Sequence, residues 1–112
     1  MSEIVLEFES KFIPLMIRGV KIRTWRRAQH GNVGDVFSIE NNGKIYRFEI
    51  QSVEPMTQAE FIKAYWCTDG FTSEADAYEY FNRHYLTPGG NPIDYNQDGF
   101  SHLFYRLRDN GE

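Results

Sequence analysis

The stretch Ile17-Arg-Gly-Val-Lys-Ile-Arg-Thr-Trp-Arg26 joins a predicted helix end to a predicted strand and concentrates positive charge. Gly19 predicts the end of a short helix, because glycine readily adopts the left-handed conformation that stops helices. The alternation of side chains after it predicts a strand over residues 20–27. The cations that lie between Ser10 and Gly34 are Lys11, Arg18, Lys21, Arg23, Arg26 and Arg27. No acidic residue occurs in that interval, so this part of the chain indicates a local anion-facing site. The alternative is a solvated strand whose cations meet acids from elsewhere in the fold.

The charge of the whole chain sets this segment apart. The net charge is −4 and the basic interval carries +6, so the remaining residues carry −10. The 112 residues are 41% hydrophobic and 25% charged, a composition that excludes collagen, a coiled coil and a disordered chain. We expect a single domain over residues 1–112, with a core at about residues 4–108 and a tail at residues 109–112.

Cysteine use and hydropathy suggest where the protein resides. A single cysteine, Cys67, cannot form an internal disulfide, which favours a reducing compartment. No run reaches the roughly 18 apolar residues of a membrane span, and no signal-peptide pattern opens the sequence. We therefore expect a cytoplasmic protein with no membrane partner, and the sequence leaves its oligomeric state open.

Outside the basic stretch, turn and capping signals divide the chain into alternating strands and helices. Alternation at residues 4–8 predicts a first strand, and Ser10 predicts the start of the short helix. Asn42-Gly43 between two alternating runs predicts a hairpin that joins strands at residues 36–40 and 44–53. Thr57 and Glu60 form a capping box for a helix that ends near Trp66.

The last third of the sequence adds one helix and one strand. Ser73 predicts the cap of another helix, residues 87–99 form a long loop rich in glycine and proline, and residues 100–107 form a closing strand. This order of elements predicts an α+β fold. We expect a curled, mostly antiparallel β-barrel with helices packed at its side.

In order and spacing, these segments resemble an ASCH domain of the PUA-like β-barrel superfamily. The matching residues are the stretch quoted above, Gly34-Asp35, Gly70-Phe71-Thr-Ser73-Glu74, Tyr80-Phe81, Tyr85 and Phe104. The likeness covers about residues 8–107 and implies a barrel with a nucleoside- or RNA-directed cleft. The sequence departs from the family where Ile22 follows Lys21, a position at which threonine is common, and in the greater length of the loop at residues 89–99.

Within the family, the small amidohydrolases that deacetylate acetylcytidine resemble this chain at Lys21 and Thr24. They use a glutamate near the start of the second helix, which matches Glu74, with Asp76 as the alternative. The resemblance implies a catalytic set in which Lys21 activates the Thr24 hydroxyl and the carboxylate orients Lys21 or protonates the leaving amine. Positions 21 and 24 face opposite sides of a regular strand, so this mechanism requires a bend near Ile22.

The other cations of the stretch suggest contact with nucleic acid. Arg23, Arg26 and Arg27 together with Trp25 suit phosphate binding and base stacking, and Arg26 shares the strand face of Thr24. The alternative for Trp25 is an ordinary packing residue. The predicted partners are RNA or a modified nucleoside in a cationic cleft. The same residues would serve a non-catalytic RNA-binding module, and cations beside a carboxylate would also suit a ribonuclease.

Metal and cofactor motifs are weak in this sequence. Residues 94–99 begin like a calcium loop, but the twelfth position is Tyr105 where such a loop needs an acidic residue. The histidines and Cys67 lack paired ligand spacing, and no P-loop or dinucleotide-binding glycine pattern occurs. We predict no metal and no cofactor.

Overall fold

The structure is a computed structural model that describes residues 2–84 and 97–108. Its elements in chain order are β1 (Glu3–Ile4), a 3-10 turn (Ser10–Phe12), α1 (Ile13–Ile17), β2 (Arg23–Arg26), β3 (Val36–Asn41), β4 (Lys44–Thr57), α2 (Gln58–Tyr65), α3 (Glu74–His84) and β5 (Asp98–Leu107). The predicted tail at residues 109–112 and most of the predicted loop at residues 87–99 lie outside the described ranges. Asp98 and Gly99, which we assigned to that loop, belong to β5.

The strands form one mixed sheet in the order β1-β3-β4-β5-β2. β1 pairs with β3 in parallel and the other neighbours are antiparallel, which confirms the α+β class. Closure into a barrel is not seen in the described ranges, because β1 and β2 are the two edges of the sheet. β1 has only two residues. The segment that follows it contacts β2 through one hydrogen bond, in which Arg26 Nη2 donates to the Glu7 carbonyl at 2.7 Å.

The local signals for the hairpin and for the caps of α2 and α3 are confirmed. Asn42 and Gly43 both have positive φ, 55° and 79°, as the tight turn between β3 and β4 requires. Thr57 and Glu60 form the reciprocal capping box of α2. Ser73 Oγ accepts from the Asp76 N–H at 3.0 Å at the start of α3. Ser10 does not cap α1 as predicted, because the chain passes through a 3-10 turn before the helix begins.

β2 is shorter than the strand predicted over residues 20–27. The backbone N–H groups of Ile22 and Arg23 both donate to the Thr68 carbonyl, at 2.8 and 3.2 Å. The Lys21 N–H donates to Leu15 instead of to a neighbouring strand. Two successive N–H groups that share one acceptor cannot belong to a regular strand ladder. The chain therefore bends immediately before β2.

Apolar side chains pack in two clusters that hold the sheet and helices together. One cluster is built mainly from strand residues: Leu6, Met16, Phe37, Ile39, Phe48, Ile50 and Phe104. The other joins β2 to the helices: Phe12, Trp25, Phe61, Ile62, Phe71, Ala77 and Phe81. The bend before β2 contacts both clusters, because Lys21 Nζ lies over the Phe12 ring and the Phe104 N–H donates to the Ile22 carbonyl.

Candidate active site

A cavity of about 280 Å³ opens between the segment that follows β1, the strand β2 and the helix α3. It is lined by Glu7, Phe8, Glu9, Phe12, Lys21, Thr24, Trp25, Arg26, Asp69, Tyr80, Phe81 and His84. The lining combines aromatic rings with a hydroxyl, an amine, a guanidinium and carboxylates. A cavity of this size and mixture suits a small polar ligand with a planar ring.

The bend before β2 brings Lys21 and Thr24 to this one cavity. Lys21 precedes the regular strand, so the alternation that would place it opposite Thr24 does not apply. The catalytic set implied by the family resemblance requires such a bend near Ile22. Thr24 is a buried residue of β2, and its side-chain oxygen accepts a hydrogen bond from Arg26 Nε at 3.2 Å.

Lys21 is enclosed by hydrogen-bond acceptors and aromatic rings. Its Nζ donates to the Asp69 carboxylate, to the Asp69 carbonyl at 3.0 Å and to the Arg23 carbonyl at 2.8 Å. The ammonium also lies 4.7 Å from the centre of the Phe12 ring and 5.8 Å from that of Phe8. All three ammonium donors thus have an acceptor, and the rings add cation–π attraction.

Lys21 and Asp69 form a buried ion pair whose side chains are only 4% and 5% exposed. Burial lowers the pKa of Lys21, and the attraction of Asp69 opposes that shift. Burial likewise raises the pKa of Asp69 to about 6, against the opposing attraction of Lys21. At neutral pH the carboxylate is ionised beside a fully hydrogen-bonded ammonium. It is also poised to take up a proton near that pH.

The structure places Asp69 at Lys21, and it does not bring Glu74 there. Glu74 is an exposed residue in the first turn of α3 and does not line the cavity. Asp76, the alternative, accepts from the N–H and the hydroxyl of Thr72 at 3.3 and 3.2 Å, a contact at the helix start. The sequence analysis did not select Asp69, because an aspartate directly before a glycine is typical of an ordinary turn.

Of the other predicted binding residues, not all reach the cavity. Arg26 lines the cavity, 5.0 Å above the Phe8 ring. Arg23 does not line it: its guanidinium lies 3.7 Å from the centre of the Tyr65 ring, and its Nη1 is 3.9 Å from Glu54. Arg27 is exposed and lies outside the lining. Of the three arginines, the structure thus brings only Arg26 to the cavity.

Trp25 is a packing residue, the alternative to base stacking that the sequence left open. Trp25 is 1% exposed and packs in the apolar cluster that joins β2 to the helices, and its indole N–H donates to the Met56 carbonyl at 3.1 Å. The Phe81 ring packs edge to face against the indole, with the two ring centres 6.1 Å apart. A base therefore has no access to the flat faces of Trp25. Its role is to form the floor between the cavity and the helices.

The predicted cationic cleft is corrected to a cavity of mixed charge. Lys21 and Arg26 share the lining with three carboxylates, those of Glu7, Glu9 and Asp69. His84 also lines the cavity, with Nε2 at 3.3 Å from a Glu9 oxygen. Within this cavity the positive charges of Lys21 and Arg26 are therefore accompanied by the carboxylates of Glu7, Glu9 and Asp69.

His102 is a buried histidine on β5 directly opposite Thr24. Its Nε2 accepts a hydrogen bond from the His30 backbone N–H at 3.1 Å, which requires that nitrogen to carry no proton. Burial lowers the pKa of His102 to about 4, and the nearby positive charge of Arg26 adds to the shift. The native state therefore holds this imidazole neutral.

We expect the His102→Gln variant to lose part of the acid sensitivity of folding. Between pH 6.5 and 4 the unfolded chain binds a proton at His102 that the folded chain does not, so stability falls as pH is lowered. By pH 4.5, this proton uptake at His102 lowers the free energy of unfolding by about 2 kcal/mol. The pKa of Asp69 is raised in the folded state, so Asp69 makes stability fall as pH rises, which is opposite to the effect of His102. Both chains carry Asp69, so its effect cancels when the stability curve of the His102→Gln variant is subtracted from that of the natural chain. Urea unfolding at several pH values measures the difference, and His30→Gln, at an exposed position, should keep the acid sensitivity.

Within residues 2–84 and 97–108, no group of three or more His, Cys, Asp or Glu side chains is arranged to hold a metal ion. In the same ranges no helix has both the length and the apolar character to cross a membrane.

Comparisons with known structures identify the fold. No protein-family model matches the sequence, and no curated protein matches it. A crystal structure of an ASCH domain from Lactobacillus crispatus JV V101 superposes with a TM-score of 0.63 and 16% identity, covering 94% of this chain and 78% of that one. The crystal structure of hypothetical protein PH0355 gives a TM-score of 0.64 and 14% identity, covering 95% of this chain and 98% of that one.

The architecture is thus an α+β fold that combines a five-stranded mixed sheet with three helices. More narrowly, it is the fold of an ASCH domain, as the segments of the sequence predicted.

Proposed function

We propose that this protein is an ASCH-domain amidohydrolase that binds an acetylated nucleoside of the acetylcytidine type in the cavity beside β2. The observation that carries the proposal is the presence of Thr24, Lys21 and Asp69 in one cavity of about 280 Å³. Amide hydrolysis by a hydroxyl needs a nucleophile, a proton acceptor and a group that stabilises negative charge. This lining supplies a candidate for each role.

The residues divide the chemistry as follows. The Thr24 oxygen attacks the acetyl carbonyl carbon, and its proton passes to the Lys21–Asp69 pair. Asp69 suits this task because its raised pKa, about 6, lets the carboxylate accept a proton beside a charged Lys21. The hydrogen bond from Arg26 to the Thr24 oxygen favours negative charge on that oxygen.

The remaining steps return the site to its starting state. The carbon–nitrogen bond breaks as the proton held by the pair moves to the leaving amino group. Water then hydrolyses the acetyl ester of Thr24, which releases acetate and restores the hydroxyl. The aromatic residues Phe8, Phe12 and Tyr80 make part of the lining apolar, which suits the base of the nucleoside.

The test is the release of cytidine from acetylcytidine, followed by chromatography. We expect Thr24→Ala and Asp69→Asn each to lower the turnover rate by about 100-fold or more, and Thr24→Ser to retain part of it. Turnover by the natural chain should rise as pH passes about 6, since Asp69 must be ionised to accept the proton.

A matched comparison separates the two carboxylate assignments. Glu74→Gln changes an exposed residue outside the cavity, so turnover should stay within about twofold of the natural rate. If Glu74→Gln abolished turnover while Asp69→Asn did not, the carboxylate role would return to Glu74. Undiminished turnover in Thr24→Ala would exclude the mechanism.

A second candidate function is an RNA-binding module without catalysis. The observation that favours it is the environment of Lys21. All three of its ammonium donors have acceptors within the protein, so Lys21 can have a structural role without taking part in catalysis. Absence of acetylcytidine turnover in the natural chain, together with salt-dependent binding of a short RNA, would establish this alternative.

A further inference from the structure

Arg26 lies at the boundary between two cavities. Next to the candidate active site is a side cavity of about 230 Å³, lined by Val5, Leu6, Glu7, Arg26 and His30. The two linings have Glu7 and Arg26 in common. These two residues are joined by the hydrogen bond from Arg26 Nη2 to the Glu7 carbonyl, at 2.7 Å. A ligand can therefore reach Arg26 from either cavity.

Neutral oxygen atoms hold the Arg26 guanidinium in one orientation. Its Nε donates to Thr24 Oγ1 at 3.2 Å, and its Nη2 donates to the Glu7 carbonyl. The guanidinium carbon lies 5.0 Å from the centre of the Phe8 ring, which adds cation–π attraction. A planar group that is already positioned loses less entropy on binding an anion than a mobile one does.

The positive charge of Arg26 has no acidic partner in the part of the chain that the structure describes, where this guanidinium forms no ion pair. The neighbouring Lys21 is paired with Asp69, and Glu9 lies beside His84. Among the same described residues, three of the five N–H groups of the Arg26 guanidinium, including both on Nη1, find no acceptor. Arg26 is half-buried, so an anion bound there would offset the cost of burying its charge.

The surroundings favour a singly charged carboxylate over a phosphate. One negative charge offsets the single unpaired charge of Arg26, and the two oxygens of a carboxylate match two N–H groups of a guanidinium. The lining of the candidate active site also contains three acidic residues, which repel an ion that carries a second negative charge. Val5 and Leu6 make part of the side cavity apolar, which suits a short alkyl group.

We propose that Arg26 binds a short monocarboxylate, such as acetate, at the boundary between the two cavities. The hydrogen bond from Arg26 Nε to Thr24 Oγ1 places this site beside the oxygen that carries the acetyl group in the proposed hydrolysis.

The source of the acetate rests on the proposed function. When water hydrolyses the acetyl ester, its hydroxyl stays on the acetyl carbon and its proton returns to Thr24 Oγ1. The acetic acid that forms ionises to acetate at neutral pH. Arg26 takes up this acetate where it forms, and the side cavity is its route to solvent. Acetate is accordingly a product inhibitor of the natural chain.

The experiment titrates the full chain with sodium acetate at pH 7.5 and constant ionic strength, without substrate. The NMR signals of the Arg26 Nε–H and of the Thr24 amide report binding. We expect saturable shifts of both signals. Acetamide, which has the shape of acetate without its charge, should bind at least about tenfold more weakly, and inorganic phosphate at least about threefold more weakly.

Variants of the arginine test which group holds the carboxylate. Arg26→Gln should weaken acetate binding at least about tenfold, and Arg26→Lys at least about threefold, since an ammonium does not match both carboxylate oxygens. The matched control is Arg27→Gln, which removes the charge of an exposed neighbour outside both linings. Acetate binding to this variant should change less than about twofold. If Arg26→Gln did not fold, the comparison of acetate with acetamide and the Arg26→Lys variant would decide.

The outcomes separate this site from the proposed function. The site is overturned if acetamide binds as tightly as acetate, or if Arg26→Gln and Arg27→Gln bind acetate alike. Phosphate that bound more tightly than acetate would overturn the assignment to a monocarboxylate. Acetate binding without acetylcytidine turnover would refute the hydrolysis and the release route but support the carboxylate site. Turnover without acetate binding would refute the site and leave the hydrolysis in place.

Discussion

Replacement of Lys21 by methionine is expected to lower the free energy of unfolding by about 3–5 kcal/mol at pH 7.5, because it leaves the Asp69 carboxylate buried without its partner. The Arg23 and Asp69 carbonyls would also lose their donor. Since a domain of this size is stabilised by about 5–15 kcal/mol, the loss should be evident in a urea unfolding curve.

The pH dependence of this variant gives the effect a distinct signature. Burial raises the pKa of Asp69, so the folded state prefers the protonated carboxyl and loses stability as pH rises through that pKa. Without Lys21 the raised pKa rises further. The destabilisation in Lys21→Met should therefore be smaller at pH 5 than at pH 8.

Two further variants test whether the buried Lys21–Asp69 pair is responsible for the loss of stability in Lys21→Met. The double variant Lys21→Met, Asp69→Leu removes both charges and should recover a large part of the lost stability. Arg47→Met breaks the exposed ion pair with Glu3 and should cost less than about 1 kcal/mol. If Lys21→Met cost no more than Arg47→Met, Lys21 and Asp69 would not form the buried pair described above.

Replacement of Gly99 by alanine is expected to destabilise the fold by about 3 kcal/mol, through overpacking. A Cβ at Gly99 would lie 2.6 Å from the Arg26 carbonyl oxygen and still closer to the indole ring of Trp25. Neither neighbour can withdraw easily. The first is backbone of β2, and the second is buried and hydrogen-bonded to Met56.

Gly31 supplies the matched control for this substitution. A Cβ there would meet the Cδ1 atoms of Ile4 and Ile50, at 2.6 and 2.9 Å, which are the ends of flexible side chains. Gly31→Ala should therefore cost about 1 kcal/mol or less. Thermal unfolding of both variants measures the contrast. Equal stability of the Gly99→Ala variant and the natural chain would mean that Trp25 does not lie against β5.

The features that could be predicted from the sequence are those determined by neighbouring residues. The Asn42-Gly43 hairpin depends on two residues that tolerate positive φ, and the cap of α2 depends on Thr57 and Glu60 three positions later. Lys21 and Thr24 were found through a family resemblance that covers the whole basic stretch. In each of these cases the decisive contacts, or the decisive pattern, lie close together in the chain.

The features that were missed depend on residues far apart in the chain. The bend before β2 is made by Thr68, more than forty positions after Ile22, so alternation alone predicted a longer strand. The partner of Lys21 is Asp69, which no local pattern marks as buried. Trp25 is enclosed by α2 and α3, and which face of β2 those helices cover is decided by tertiary packing.

The carbonyl of Thr68, which accepts the N–H groups of both Ile22 and Arg23, has an evolutionary consequence. The same short connection between α2 and α3 also supplies Asp69, so a single segment sets both the direction of the chain at Lys21 and the partner of its ammonium. Insertions or deletions there would change the chemistry of the cavity while leaving the strands paired. The β3–β4 hairpin contributes no residue to that lining and can vary in length at little cost. Among proteins with this fold, divergence of activity should therefore follow changes in the α2–α3 connection more closely than changes in the sheet.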